Sequence, residues 1–170
     1  MRKKTLYLIR HAKSSWKDPE LHDRERPLNK RGHRNAADMP ARLHDRIGSP
    51  ELIISSPAKR ALTTAQYFAN ELDYPAVNIR VDKALYFCGI EGYLRILKNV
   101  PKEARKIMLF GHNPDISELL DYLSPSEYEA MPTCAVAKLV IRDHTWRALG
   151  PACAEVVFID APKRIPQKLP

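Results

Sequence analysis

Leu6-Tyr7-Leu8-Ile9-Arg10-His11-Ala12-Lys13-Ser14 begins as an unbroken apolar run and ends in an adjacent cation and imidazole. Large apolar residues in sequence, without alternation, suit a strand buried on both faces, as in a parallel sheet. Open α/β sheets bind ligands outside the carboxyl ends of such strands. A strand over Thr5–Ile9 therefore delivers Arg10 and His11 to a sheet edge where a ligand can reach them.

Downstream, the same pattern recurs. His11 to Asn29 reads as a long polar loop carrying Trp16, Asp18, Asp23, Arg24, Arg26 and Pro27; loops of that length are usually functional or mobile. Lys30 to Ile47 reads as a first helix, with Ala36, Pro40, Leu43 and Ile47 at helical spacing, and Pro40 should kink or break it. Glu51 to Ser55 reads as a second strand. Ser56 is a natural N-cap, with Pro57 at the first helical position. Ala58, Ala61, Leu62, Ala65, Phe68, Ala69 and Leu72 then form an apolar helical stripe. A strand over Val77–Asp82 and a helix marked by Ile90, Leu94 and Leu97 follow.

Lys106–Phe110 reads as a further strand, ending in Gly111-His112-Asn113-Pro114, with a helix marked by Ile116, Leu119, Leu120 and Leu123 behind it. Cys134–Ile141, Trp146–Leu149 and Glu155–Ile159 read as late strands that pair antiparallel or at an edge. Alternation of strand and helix as far as Leu123 predicts an α/β three-layer sandwich: a mostly parallel central sheet, helices on both faces and an antiparallel edge strand. Residues 1–160 form one domain in this reading, and 161–170 a basic, Pro-rich tail that contributes little to folding.

Three strand ends carry chemistry. The first ends in Arg10-His11, the second leads through Ser55-Ser56-Pro57 to Arg60, and the Lys106–Phe110 strand ends in Gly111-His112-Asn113. If these strands are parallel neighbours, two histidines, two arginines and a helix N-terminus meet in one crevice. Such a set does not suit a hard metal ion, which takes oxygen ligands. Two guanidinium groups can hold a phosphoryl group by forked, charge-assisted bonds. They also disfavour imidazolium, keeping His11 neutral and able to attack phosphorus. His112 would then stabilise transition-state charge on a phosphate oxygen.

The totals agree with a soluble globular protein. The chain has 170 residues, 44% hydrophobic and 28% charged, which suits one domain with a full core. Apolar runs are too short to span a bilayer, and no signal peptide opens the chain. Three cysteines (Cys88, Cys134, Cys153) without CxxC spacing argue against a disulfide framework or zinc ribbon. They fit a reducing, cytoplasmic setting, and Cys88 reads as a small buried residue. The net charge of +8 favours an anionic partner. No basic-plus-aromatic motif points to nucleic acid. His22, His33, His44 and His144 lack context and read as surface residues.

Leu8-Ile9-Arg10-His11-Ala12 resembles the Arg-His-Gly signature of the histidine phosphatase (phosphoglycerate mutase-like) superfamily. Ser55-Ser56-Pro57-Ala58-Lys59-Arg60-Ala61 with Thr64-Ala65 resembles its second motif and Gly111-His112-Asn113 its third. Arg26-Pro27-Leu28-Asn29…Gly32 is similar to the motif preceding its first helix. The compact length resembles the SixA-type phosphohistidine phosphatases. The resemblance implies His11 as phospho-acceptor, Arg10, Arg60 and His112 as the rest of the phosphate pocket, and Arg26 and Asn113 as further substrate contacts. It implies no metal or cofactor. Ala12 stands where the family has glycine, and Lys17 where larger members often carry a phosphate-binding asparagine. A clear counterpart of the acidic proton donor is missing, with Asp23 and Glu91 as candidates. An imidazole leaving group would relax that need, and a short chain leaves little for lids over a small substrate. Both point to phosphohistidine on a protein. The rivals are a small-molecule phosphomonoesterase or mutase of the same fold, and a non-catalytic phosphate-binding domain.

Overall fold

Side chains alternate between the two faces of a strand, and β1 (Lys4–Arg10) uses that alternation to build two cores. In this computed structural model, which describes residues 3–125 and 128–163, Leu6 and Leu8 enter one core and Tyr7 and Ile9 the other. The remaining strands are β2 (Leu52–Ser55), β3 (Arg80–Val81), β4 (Lys106–Gly111), β5 (Val136–Ile141) and β6 (Ala154–Asp160). They form one six-stranded sheet in the order β3-β2-β4-β1-β5-β6. Pairs β3–β2, β2–β4 and β4–β1 are parallel, and pairs β1–β5 and β5–β6 are antiparallel. Only β5 runs against the others, so the sheet is mostly parallel.

Two helices cover each face. Helices α1 (Lys30–Ile47) and α2 (Lys59–Glu71) bring Met39, Leu43, Ala65 and Phe68 onto Tyr7, Ile9, Met108 and Phe110. Helices α3 (Gly89–Lys98) and α4 (Asp115–Leu123) bring Tyr93, Leu97, Ile116 and Leu119 onto Leu6, Leu8, Ile107 and Leu109. Each large side chain so buried contributes roughly 1.5–3 kcal/mol relative to exposure. The α/β three-layer sandwich read from the sequence is the fold.

Several local expectations need correction. Pro40 does not break α1, which runs through it. Met39 and Leu43, fully buried on either side, hold the two halves to the sheet and outweigh the lost hydrogen bond, which costs about 3 kcal/mol. Ser56 does not cap α2. The cap is Ala58, without a side-chain bond, because the helix starts at Lys59 and the Ser56 hydroxyl, also bonded to His112, accepts only the Ala58 N–H before it. Only Arg80–Val81 is strand within Val77–Asp82, preceded by a 3-10 turn over Ala76–Asn78. Trp146–Ala148 is likewise a 3-10 turn. Its buried indole donates to Ala104 O at 2.7 Å, a bond that fixes the ring inward rather than in a ladder. Ala161 is buried and its carbonyl accepts from Arg42, so it belongs to the core and not to the tail. Tail residues 164–170 lie outside the described residues. Cys88 is exposed rather than buried.

Candidate active site

Strand order decides the site. β2, β4 and β1 are parallel neighbours, so their carboxyl ends set Ser56, His112 and His11 side by side. Arg10 pairs with Gly111 across β1 and β4. His11 N donates to Gly111 O (3.1 Å) and Ser56 N to Phe110 O (3.0 Å), carrying the register one residue past each strand. The two imidazole rings stand 5.1 Å apart, centroid to centroid. Glycine is required at 111, because a Cβ there would lie 1.9 Å from the Tyr93 hydroxyl. That hydroxyl accepts the backbone N–H of His112 at 3.2 Å.

Each histidine is held in one tautomer. His11 Nδ1 lies 2.7 Å from the carbonyl of Ala12. A carbonyl only accepts, so Nδ1 carries the proton and Nε2 the free lone pair. Ala12 is itself fixed, since its N–H donates to Thr64 Oγ1 (3.0 Å), whose hydroxyl donates to Arg60 O (2.7 Å). His112 Nε2 lies 2.7 Å from Ser56 Oγ. Ser56 Oγ accepts the Ala58 N–H (3.2 Å), so its own proton is free for Nε2. The His112 proton then sits on Nδ1, which is buried without a protein partner among the described residues.

Both rings are neutral. Burial, reinforced by Arg60, Arg10 and Arg26, outweighs the Ala12 hydrogen bond and pulls His11 down to about 3. Burial, then His11 and Arg60, pulls His112 to about 3 as well. Guanidinium charge acts as the sequence suggested, but desolvation is the larger cause.

The arginines are arranged differently. Arg10 is half-buried. It donates through Nη1 to Met131 O (3.0 Å), while its Nε is buried and has no partner among the described residues. Arg60, in the first turn of α2, is buried and donates through Nη1 to Asp23 O (2.7 Å) and Nη2 to Asp23 Oδ2 (2.9 Å). Arg26 is also buried. It donates to Ser15 O, Asp23 Oδ1 and Ser14 Oγ, at 3.1, 3.1 and 2.7 Å. Its guanidinium lies 3.1 Å from the centre of the Trp16 ring. Arg26 thus staples the 11–29 loop beside the pocket and adds positive potential at His11. The loop is further pinned where Asn29 caps α1 and Gly32 meets Lys13, whose carbonyl a Cβ would strike at 2.1 Å.

Asp23 differs from its expected role as proton donor. Burial would raise its pKa, but the Tyr86 hydroxyl at 2.6 Å, Arg60 and Arg26 outweigh burial and hold it at about 2. It is a carboxylate that organises two arginines, with no proton to give at neutral pH. Glu91, the other candidate, is exposed in the first turn of α3. Asn113 turns its amide inward, donating to Met131 O (2.9 Å) and accepting from Ser117 (2.6 Å), and so braces the segment that also binds Arg10. Lys17, His22, His33, His44 and His144 are exposed.

Two residues escaped the sequence reading. Tyr86 and Phe87 follow β3 and line His112, with ring centroids 5.5 and 4.9 Å from it. Phe87 has φ 56°, a left-handed conformation that costs a bulky residue about 1–3 kcal/mol. An aromatic pair just before Gly89, in the connection from β3 to α3, was the available signal.

A neutral imidazole with a fixed lone pair, flanked at parallel strand ends by guanidinium groups and by buried side-chain nitrogens with no partner among the described residues, defines a phosphoryl-handling pocket. Comparison with known proteins agrees. Residues 6–86 match the model of the histidine phosphatase superfamily (branch 1). An uncharacterized chloroplastic protein of Arabidopsis thaliana is 31% identical over 149 residues, 83% of this chain and 68% of its own length. The crystal structure of a putative phosphohistidine phosphatase SixA from Agrobacterium tumefaciens superposes with TM-score 0.75 at 27% identity. It covers 94% of this chain and 98% of that one. A putative SixA from Nakamurella multipartitia has the same fold, with TM-score 0.82, 23% identity and coverage of 96% and 98%. The chain belongs to the histidine phosphatase superfamily and is of the SixA type. It is a phosphatase.

Proposed function

We propose that this phosphatase removes phosphoryl groups from phosphohistidine on proteins, through a covalent intermediate on His11. The observation that carries the reading is the lone pair of His11 Nε2, fixed by the Nδ1–H bond to Ala12 O and set among Arg10, Arg60 and His112. In the first step Nε2 forms a bond to phosphorus as the bond from phosphorus to the leaving nitrogen breaks. Arg10 and His112, each with a buried side-chain nitrogen that has no protein partner among the described residues, take up charge on the phosphoryl oxygens in this reading. In the second step water attacks phosphorus, the His11–phosphorus bond breaks, and orthophosphate leaves.

The leaving group favours phosphohistidine. An alkoxide must be protonated as it departs, and Asp23 is held as a carboxylate. A phosphoimidazole that arrives protonated on its other ring nitrogen departs as neutral imidazole and needs no acid from the protein. A small-molecule phosphomonoesterase is the rival. Phosphate release is measured from a phosphohistidine-bearing protein, a phosphoserine protein and sugar phosphates. Highest kcat/KM on the first is the expected result. Highest kcat/KM on a sugar phosphate overturns the substrate assignment, and phosphate binding without release points to a binding domain.

A further inference from the structure

Among the exposed large apolar side chains of the described residues, Phe87 is the one that packs on a pocket histidine. Scattered exposed hydrophobics need no explanation, and Val77 and Val81 are of that kind. Phe87 differs in three respects. Its ring lies 4.9 Å from the His112 ring at an interplanar angle of 33°, so part of it covers the pocket wall. It is nevertheless 50% exposed. Its backbone is held at φ 56°, with Gly89 at φ 68° two residues on, so the chain turns sharply to present this side chain.

The neighbours fix the ring further. Tyr86 meets Phe87 edge-on at 4.8 Å and His112 edge-on at 5.5 Å. The Tyr86 hydroxyl is tied to Asp23 Oδ2, and Asp23 to Arg60. The Phe87 ring is thus positioned by the groups that bind phosphate, while half its surface faces solvent. In-line attack by His11 puts the leaving group on the side of phosphorus opposite Nε2, and the half-exposed ring beside His112 is an apolar surface that the pocket offers to it. An apolar ring there is poor chemistry for a polyol. It is good chemistry for a planar aromatic group, which stacks on it face to edge or offset.

We propose that Phe87 determines leaving-group specificity, as a platform on which the departing imidazole ring of phosphohistidine stacks. The inference rests on the phosphohistidine reading and extends it to recognition of the ring. Its readout is a ratio: kcat/KM for phosphoimidazole divided by kcat/KM for phosphoramidate. The two donors share the phosphoryl group and the bond to nitrogen, but only one has a ring.

Phe87→Ala and Phe87→Leu are expected to lower the ratio about threefold to tenfold, the range that one aromatic pair contributes, mainly through KM. Phe87→Trp is expected to keep it. An equal loss on both donors, leaving the ratio unchanged, overturns the proposal and makes Phe87 a support for His112. If Phe87→Ala does not fold by circular dichroism, the Leu and Trp variants decide between the same two outcomes. If the wild type acts on neither nitrogen-linked donor, the phosphohistidine reading fails by itself. The platform is then read from p-nitrophenyl phosphate against glycerol phosphate: a ratio lowered by Phe87→Leu supports it, and an unchanged ratio overturns it.

Discussion

The floor and the rim of the pocket are built on different principles. The floor is His11, His112, Ser56 and Arg10, set at the ends of β1, β2 and β4 by backbone register, with His11 and Arg10 held by backbone carbonyls and His112 by the Tyr93 and Ser56 hydroxyls. The rim is Trp16, Asp23, Arg26, Tyr86 and Phe87, held chiefly by side chains on one another. A floor set by sheet register fixes tautomers and lone pairs, which any phosphoryl transfer needs. A rim made of side chains can change without disturbing the sheet, so it is where one substrate is told from another. Arg60 joins the two, rooted in α2 and clasped by Asp23.

That contrast can be broken in graded ways. The largest effects belong to the floor and to Arg60, which joins it to the rim. His112→Ala and Arg60→Ala are each expected to lower kcat about 10²–10³-fold, as removal of one donor to developing charge does. Steady-state kinetics on a single phosphoryl donor checks this. Ser56→Ala removes no group that touches phosphate, yet it releases the His112 tautomer. It is expected to lower kcat roughly tenfold, as loss of an orienting partner does, with KM little changed. The imidazole 15N shifts of His112 should show a mixture of tautomers in that variant alone.

The pH dependence has one sign in both regions and separates them by window. His11 and His112 have folded-state values near 3 against an ordinary 6.5. Between those values the unfolded chain binds protons that the folded chain does not. Stability therefore falls as pH falls through that window. Asp23, at about 2 against 3.8, extends the loss to lower pH. Thermal melts from pH 7 to pH 3 should show Tm falling from about pH 6.5 downward, with a shallower slope in His112→Gln. A melt indifferent to pH above 4 contradicts neutral, buried histidines.

The rim gives the smallest effect. Asp23→Ala leaves two buried guanidinium groups without their shared carboxylate. The carboxylate is 40% exposed, so solvent screens part of the loss. Destabilisation of about 1–2 kcal/mol in urea unfolding is the expected result, with kcat changed less than by any floor variant.

The floor was legible in the sequence apart from the role of Ser56, and of the rim Trp16, Asp23 and Arg26 were singled out while Tyr86 and Phe87 were not, for a physical reason. Leu6–Ile9 and Ile107–Phe110 read as buried strands from local apolar pattern, and parallel neighbours bring their ends together. His11, His112, Arg10 and Arg60 follow from that geometry. Tyr86 and Phe87 reach His112 only through a two-residue strand, β3, too short to leave a period in the sequence. Ser56 looked like a helix cap because its local pattern is one, but the helix starts at Lys59 and the hydroxyl also bonds the distant His112. Asp23 kept its place in the site but lost its assumed proton to three partners, of which Arg60 and Tyr86 lie far along the chain. Trp146 followed the same rule, with its turn set by Ala104, 42 residues away.

The central claim is that His11 Nε2 forms a bond to phosphorus. Its most direct test is rapid quenching of the protein with a phosphorus-labelled phosphohistidine protein, followed by acid and alkali treatment, with His11→Ala alongside. Label on the wild-type protein that is stable in alkali, lost in acid and absent from His11→Ala is the result the geometry requires. Phosphate release that continues in His11→Ala at the wild-type rate would contradict it.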